Sequence, residues 1–162
     1  MADLRIGHGF DVHAFADDRE LVVGGVIIPH ERGLAGWSDA DVLLHAIMDA
    51  LLGAAGLPDI GQQFPPGDPA YRQADSAVLL SRVGHLVRSA GYTRILNIDA
   101  IIMAERPRMN PHIPAMRKAI AEVLRIKEAQ VNVKATTTEQ LGFVGREEGI
   151  AASAVCLIAG DE

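Results

Sequence analysis

The chain has 162 residues, 49% of them hydrophobic, with 15 Lys and Arg against 21 Asp and Glu for a formal net charge of −6. That length suits one domain, residues 1–162, with a core that needs no disulfides, and the acidic balance argues against a nucleic-acid partner held by a basic surface. Cys156 is the only cysteine, which excludes an intrachain disulfide and a Cys-based zinc cluster.

Residues 4–15 read as a strand. Alternation puts Asp11 and His13 on one face, with Phe10 and Val12 on the other. Residues 21–28 read as its hairpin partner, interrupted at Gly24-Gly25 by a bulge or turn. Ser38 opens a helix running to about Gly56, and Ser38-Asp39-Ala40-Asp41 has capping-box spacing with Asp in place of Glu. Along that apolar helix Asp41, His45 and Asp49 recur every four residues as a polar stripe, and inward polar groups need partners. Asp41 serves either the stripe or the cap, and Asp49 either the stripe or solvent. Residues 58–73 form a loop bearing Pro and Gly, of a length that in a small domain often goes with function. Residues 75–91 read as a second amphipathic helix ending at a Gly suited to the position past the last turn. A strand follows at 95–104. Asn110-Pro111 opens a third helix to about Arg125, with Asn as cap and Pro at the first position. Residues 131–138 and 150–159 are the last strands. This order predicts an α+β fold, a mixed β-sheet with helices packed on one face. The other face, apolar and bare, predicts oligomerisation. The opening Met1-Ala2-Asp3-Leu4-Arg5 lacks the charged-then-apolar layout of a signal peptide. No apolar run reaches the ~20 residues that span a bilayer. A reducing cytoplasm, with no membrane partner, is the expected setting.

Three groups of residues carry chemistry. Asp11, His13 and His45 offer a carboxylate and two imidazoles with a fourth position open, the donor set of a catalytic zinc site. Each of them singly also fits a hydrogen-bonded core residue. At 134–146 a strand runs into a loop bearing Gly. There Thr136, Thr137 and Thr138 hydroxyls and loop N–H groups can hold phosphate oxygens. Glu139 is a hard oxygen ligand suited to Mg²⁺, and Arg146 can fork onto a phosphate. At most two of those threonines share a face, and threonines are also ordinary in strands. At 104–110 a strand ends and a helix begins, offering free N–H groups to an anion or a base edge.

Taken together, Ile6-Gly7-His8-Gly9-Phe10-Asp11-Val12-His13, Ser38-Asp39 through His45 to Asp49, Asp59-Ile60-Gly61, Asn110-Pro111-His112-Ile113-Pro114, and residues 131–139 with Gly142-Phe143 and Gly145-Arg146 resemble the 2-C-methyl-D-erythritol 2,4-cyclodiphosphate synthase family over nearly the full chain. The resemblance implies a phosphorus–oxygen lyase of the non-mevalonate isoprenoid pathway. It would convert 4-diphosphocytidyl-2-C-methyl-D-erythritol 2-phosphate to the cyclic diphosphate with release of CMP. It implies a homotrimer with active sites between subunits. It also implies Zn²⁺ or another divalent cation on Asp11, His13 and His45, and Mg²⁺ or Mn²⁺ near Glu139. Family positions matching Asp59, Ile60, Gly61, Phe64, Pro65 and Asp68 surround the erythritol part. Those matching Ala104, Pro107, Arg108, Met109 and Asn110 cradle the cytidine. Thr136 and Thr137 match contacts to the diphosphate, Thr137 as the transition-state stabiliser, and Ser38, Thr138, Phe143 and Arg146 match further substrate contacts. Phe10, Arg146 and Glu148 match residues near an axial cavity that an isoprenoid diphosphate can occupy.

One position departs from the family. Trp37 stands where a His usually precedes Ser-Asp and aids the transition state. An indole N–H donates one hydrogen bond but carries no charge, and losing a donor to developing charge costs ~2.7–4 kcal/mol. Trp37 therefore either lowers activity, supports the flap by stacking, or leaves the task to a neighbour. Two other readings stand beside this one: a different zinc-dependent hydrolase with Asp49 as base, and a metal- or isoprenoid-binding module without turnover.

Overall fold

Alternation in β1 (Leu4–Ala16) sends Gly7 and Gly9 inward and leaves Ile6, His8, Phe10 and Val12 exposed on the opposite face. The computed structural model describes residues 3–160. Met1 and Ala2, part of the stretch read for a signal peptide, and the last two residues of the domain lie outside the described residues.

The partner of β1 is not residues 21–28. β1 pairs antiparallel with β7 (Gly149–Ala159), from Leu4 opposite Ala159 to Ala14 opposite Gly149. Its end pairs with the short β4 (Gly33–Leu34). Residues 21–28 instead fold on themselves, β2 (Leu21–Val23) against β3 (Val26–Ile28). Gly24 and Gly25 both have positive φ, 65° and 73°, the backbone of a two-residue hairpin turn that glycine adopts without strain. That turn uses up the segment locally and leaves nothing to lie along β1.

The first long helix, α1 (Val42–Ala54), starts three residues later than the capping-box spacing predicts. Ala40 has φ 59°, so the helix cannot run through it. Asp41 is the true cap and accepts the Leu44 N–H. Its carboxylate also accepts the Gly24 and Gly25 N–H groups at 2.8 and 2.7 Å. One buried side chain thus ties the helix start to the hairpin turn. Burial pushes its carboxyl up to about 6 against those three donors.

α1 lies close on β1 because Gly7 and Gly9 leave room for its backbone. A Cβ on Gly7 would meet the Ala50 oxygen at 1.8 Å, and one on Gly9 the Ala46 oxygen at 2.0 Å. α2 (Ile60–Gln63) is a single turn inside the predicted loop, and α3 (Ser76–Ser89) packs on the far side of α1. Caught between sheet and α3, α1 is buried nearly all round.

β5 (Arg94–Met103) pairs antiparallel with β7 and parallel with β6 (Val131–Thr136). The parallel crossover runs through α4 (Ile113–Leu124). Asn110 does not cap that helix. Residues 110–112 form a 3₁₀ turn ahead of it, and neither Met109 nor His112 makes a side-chain capping bond. β6 stops at Thr136, so Thr137 and Thr138 lie beyond the strand, followed by the short α5 (Gly142–Gly145). The sheet order is β4-β1-β7-β5-β6, mixed as predicted. α1 covers β1 and β7, α4 covers β6, and α3 packs on both helices. On the opposite face Ile6, Phe10, Val12 and Val155 stay 74%, 53%, 43% and 44% exposed. Among the described residues no helix is long and apolar enough to cross a membrane.

Candidate active site

β1 aims Asp11 and His13 at α1, and α1 returns His45 one turn in from its Asp41 cap. Asp11 Oδ2 lies 2.9 Å from His13 Nε2 and 3.0 Å from His45 Nδ1, and the two nitrogens are 3.1 Å apart. Bonds of about 2.0–2.1 Å to a tetrahedral zinc would set such donors ~3.3 Å apart, so the triangle fits the ion with little adjustment. Outer contacts orient both rings toward it. His13 Nδ1 donates to the Ala35 carbonyl at 2.7 Å, which leaves Nε2 as the free lone pair. His45 Nε2 faces the Ser38 and Ser76 hydroxyls at 3.3 and 3.1 Å, which turns Nδ1 to the centre. Among the described residues this is the one group of three His, Cys, Asp or Glu side chains able to hold a metal.

The charges suit a cation. Burial would raise the Asp11 carboxyl, but the two imidazoles beside it outweigh burial and hold it at about 2. Burial would lower His13, but the Asp11 carboxylate holds it above its ordinary value. Both effects mark a pair of imidazoles focused on one carboxylate oxygen.

Above the triad opens a pocket of about 230 Å³. Of the predicted residues it gathers Asp11, His13, Trp37, Ser38, His45, Ile60, Gly61 and Phe64. Met48, Pro66, Tyr71 and Leu79 also line it and were not foreseen. Met48 was within reach of sequence reasoning, since it follows His45 by three on one helix face. Asp59, Pro65 and Asp68 are not in its lining. The Asp59 carboxylate instead caps α2 through the Gln62 N–H, and the Asp68 side chain caps the turn at 69–71. Asp49 is half-buried and is not one of the metal group. It accepts the Ile60 N–H at 2.9 Å and so sets the wall at Ile60 and Gly61.

Trp37 is 41% exposed, and its indole N–H does not point to a ligand. It donates to the Asp68 carbonyl at 3.0 Å. The bond ties the indole to the 58–73 loop by hydrogen bonding, not by the stacking expected from sequence.

A second pocket, about 170 Å³, gathers Ala104, Pro107, Arg108, Met109, Asn110, Thr136 and Thr137, together with Glu105 and Ala135. Glu105 lies within the expected 104–110 stretch, but sequence gives no role for its side chain. Its Oε1 accepts the Thr138 and Gln140 N–H groups at 2.9 and 3.2 Å and so shapes the loop after β6. The Thr138 hydroxyl is engaged with the Leu141 carbonyl. Glu139 sits exposed at φ 53°, its Oε1 3.4 Å from Thr137 Oγ1. Phe143 lies on α5, and Arg146 pairs with Glu148 at 2.9 Å. No second group of ligands surrounds Glu139 among the described residues.

The two pockets share one end of the sheet but not one edge. Asp11, Ala152, Ile102 and Ala135 are register partners in a single row across β1, β7, β5 and β6. Three inter-strand steps, about 14 Å, therefore separate the metal group from the threonine loop.

The model of the YgbB family matches residues 4–159. A 2-C-methyl-D-erythritol 2,4-cyclodiphosphate synthase of Halalkalibacterium halodurans is 62% identical over 155 residues, 96% of this chain and 98% of that one. Among solved structures, the bifunctional IspDF of Campylobacter jejuni superposes with a TM-score of 0.95 at 42% identity, over 100% of this chain and 44% of that protein. The CDP complex of Plasmodium falciparum IspF gives 0.85 at 33%, over 98% and 97%. A family match over nearly the whole sequence, on a fold that brings Asp11, His13 and His45 to one point, leads to one conclusion: the chain belongs to the YgbB family, that of the 2-C-methyl-D-erythritol 2,4-cyclodiphosphate synthases.

Proposed function

We propose that the protein converts 4-diphosphocytidyl-2-C-methyl-D-erythritol 2-phosphate to 2-C-methyl-D-erythritol 2,4-cyclodiphosphate and CMP. The observation that carries the reading is the triangle of Asp11 Oδ2, His13 Nε2 and His45 Nδ1, with edges of 2.9–3.1 Å, in a chain 62% identical to a protein of that name. An oxygen of the 2-phosphate attacks the β-phosphorus. The bond from that phosphorus to the oxygen bridging it to the α-phosphate breaks, and CMP departs with the oxygen. Nucleophile and leaving group both belong to the substrate, so the protein needs no nucleophilic Ser or Cys. Its task is to bring the two ends together and to offset their charge.

Asp11, His13 and His45 would hold Zn²⁺ or another divalent cation, which supplies positive charge to the phosphate oxygens. Glu139 offers one hard oxygen to Mg²⁺ or Mn²⁺, an ion that takes the rest of its shell from phosphates and water. The Thr137 hydroxyl donates to the charge that builds on the β-phosphate, and Thr136 to its neighbour. Residues 104–110 receive the cytidine, and Ile60, Gly61 and Phe64 the erythritol. The ~14 Å between the two pockets supports a homotrimer in which one subunit's metal pocket meets its neighbour's nucleotide pocket. In that assembly Phe10, Arg146 and Glu148 would border an axial cavity fit for an isoprenoid diphosphate. The setting is cytoplasmic.

The test is CMP release from that substrate with Zn²⁺ and Mg²⁺ present, then with chelator. Metal-dependent CMP together with the cyclic product is the expected outcome. The commitment of the Trp37 N–H to Asp68 favours a second reading, a metal- or isoprenoid-binding module without turnover. It predicts zinc and isoprenoid diphosphate binding, no CMP release, and turnover only after Trp37→His.

A further inference from the structure

Trp37 is the only tryptophan of the chain, and it grips the flap at two points. Its indole N–H donates to the Asp68 carbonyl at 3.0 Å, and its own carbonyl accepts the Gln73 N–H at 2.8 Å. Among the described residues, every hydrogen bond tying residues 64–73 to the chain outside 58–74 runs to Trp37. The rest of the flap is internally braced. Asp68 accepts the Ala70 N–H, and the Phe64 and Tyr71 rings meet edge to face with centroids 5.4 Å apart. Phe64 and Tyr71 are also walls of the metal pocket, as is the indole itself. The next residue, Ser38, faces the metal-side His45.

We propose that Trp37 is the latch that holds the 64–73 flap closed beside the metal pocket, a positioning residue that acts through the flap and not through its own contact with phosphate. A wall fixed in advance lowers the ordering cost that a ligand would otherwise meet on binding. Proline at 65, 66 and 69 already stiffens the segment, and Phe64 and Tyr71 pack against the core, so the two Trp37 bonds add the directional ties that this packing lacks. The kinetic arm of the test below rests on the synthase reading. The structural arm does not.

Amide hydrogen exchange of the ligand-free protein, compared with Trp37→Phe, decides the matter. Phenylalanine keeps a ring in the wall and removes the donor. Exchange across 64–74 should rise about fivefold, the amount one hydrogen bond of ordinary net strength represents in an opening equilibrium, with α1 and the sheet unchanged. Unchanged exchange in that segment overturns the latch. So does a rise spread evenly over α1 and the sheet, which would make the indole a general packing residue. With substrate, any rise in KM should stay at or below that factor, since only the closed fraction enters the affinity, and kcat should hold. A fall in kcat at constant KM also overturns the latch, because it would give the indole a role at the reacting atoms. Absence of turnover in both proteins bears on the synthase reading alone and leaves the exchange result to decide.

Discussion

At the scale of residues, the metal group rests on a simple pattern and one long-range contact. Strand alternation alone put Asp11 and His13 on a shared face. No spacing rule linked them to His45, 34 and 32 residues on, and only the family resemblance joined the three before the fold did. The outer contacts, Ala35 on His13 and Ser76 on His45, were illegible because backbone carbonyls and lone serines carry no sequence signature. Removing a ligand should separate metal from fold. His45→Ala or Asp11→Asn should lower zinc affinity at least ~100-fold, more than a typical outer-contact loss, with an unchanged circular dichroism spectrum. A collapsed spectrum would make the metal structural. The site should also titrate in a defined direction. Metal and proton compete for the same lone pairs. Asp11, held at about 2, stays ionised at every working pH. His13, raised above 6.5 by that carboxylate, must shed its proton first. Zinc affinity should therefore be flat at high pH and fall at least about tenfold per unit once the pH drops below the raised His13 value, because each imidazole must be neutral to bind. Calorimetric zinc titrations across the imidazole range would read it, and affinity independent of pH there would contradict it.

Among the elements, the close seat of α1 on β1 decides where His45 stands. A methyl at Gly9 has nowhere to go, since the atom it meets is backbone oxygen. Gly9→Ala should cost ~3 kcal/mol in denaturant unfolding, the upper end of ordinary overpacking. Whatever remains folded should bind zinc more weakly, because α1 must lift away from Asp11 and His13. A variant of native stability and native zinc affinity would refute both points. The long helices and strands were legible from periodicity, and their ends were less so. Ala40, of the residue type most at home in helices, sits at positive φ, and nothing in its identity announces that α1 has not begun. The hairpin differs from expectation for another reason. Pairing of β1 with β7 joins opposite ends of the chain, while patterns are local, so periodicity points to the nearest strand-like run as the partner.

For the whole molecule, the bare sheet face and the split between pockets point the same way. Ile6, Phe10 and Val12 make an apolar stripe on a strand whose other face is core. Under the proposed trimer, Phe10→Glu should give a monomer by sedimentation, keep zinc binding, and lose at least ~100-fold in CMP release, because the proposed assembly is what brings the two halves together. A monomer of full activity would show that one chain holds a complete site. The mixed sheet and the one-sided helices were legible from element order alone. The distance between pockets was not, because it depends on which strands lie between β1 and β6.

The first and last strands lie side by side from Leu4 to Ala14, with Leu4 opposite Ala159. Both ends of the described chain therefore leave from the same edge of the fold, seven residues of strand, ~23 Å, from Asp11. A tether or a second catalytic module attached at either end meets the molecule on its blind side. Immobilised through either terminus, the protein should turn its pocket rims outward to the solvent, and neither choice of attachment should obstruct them.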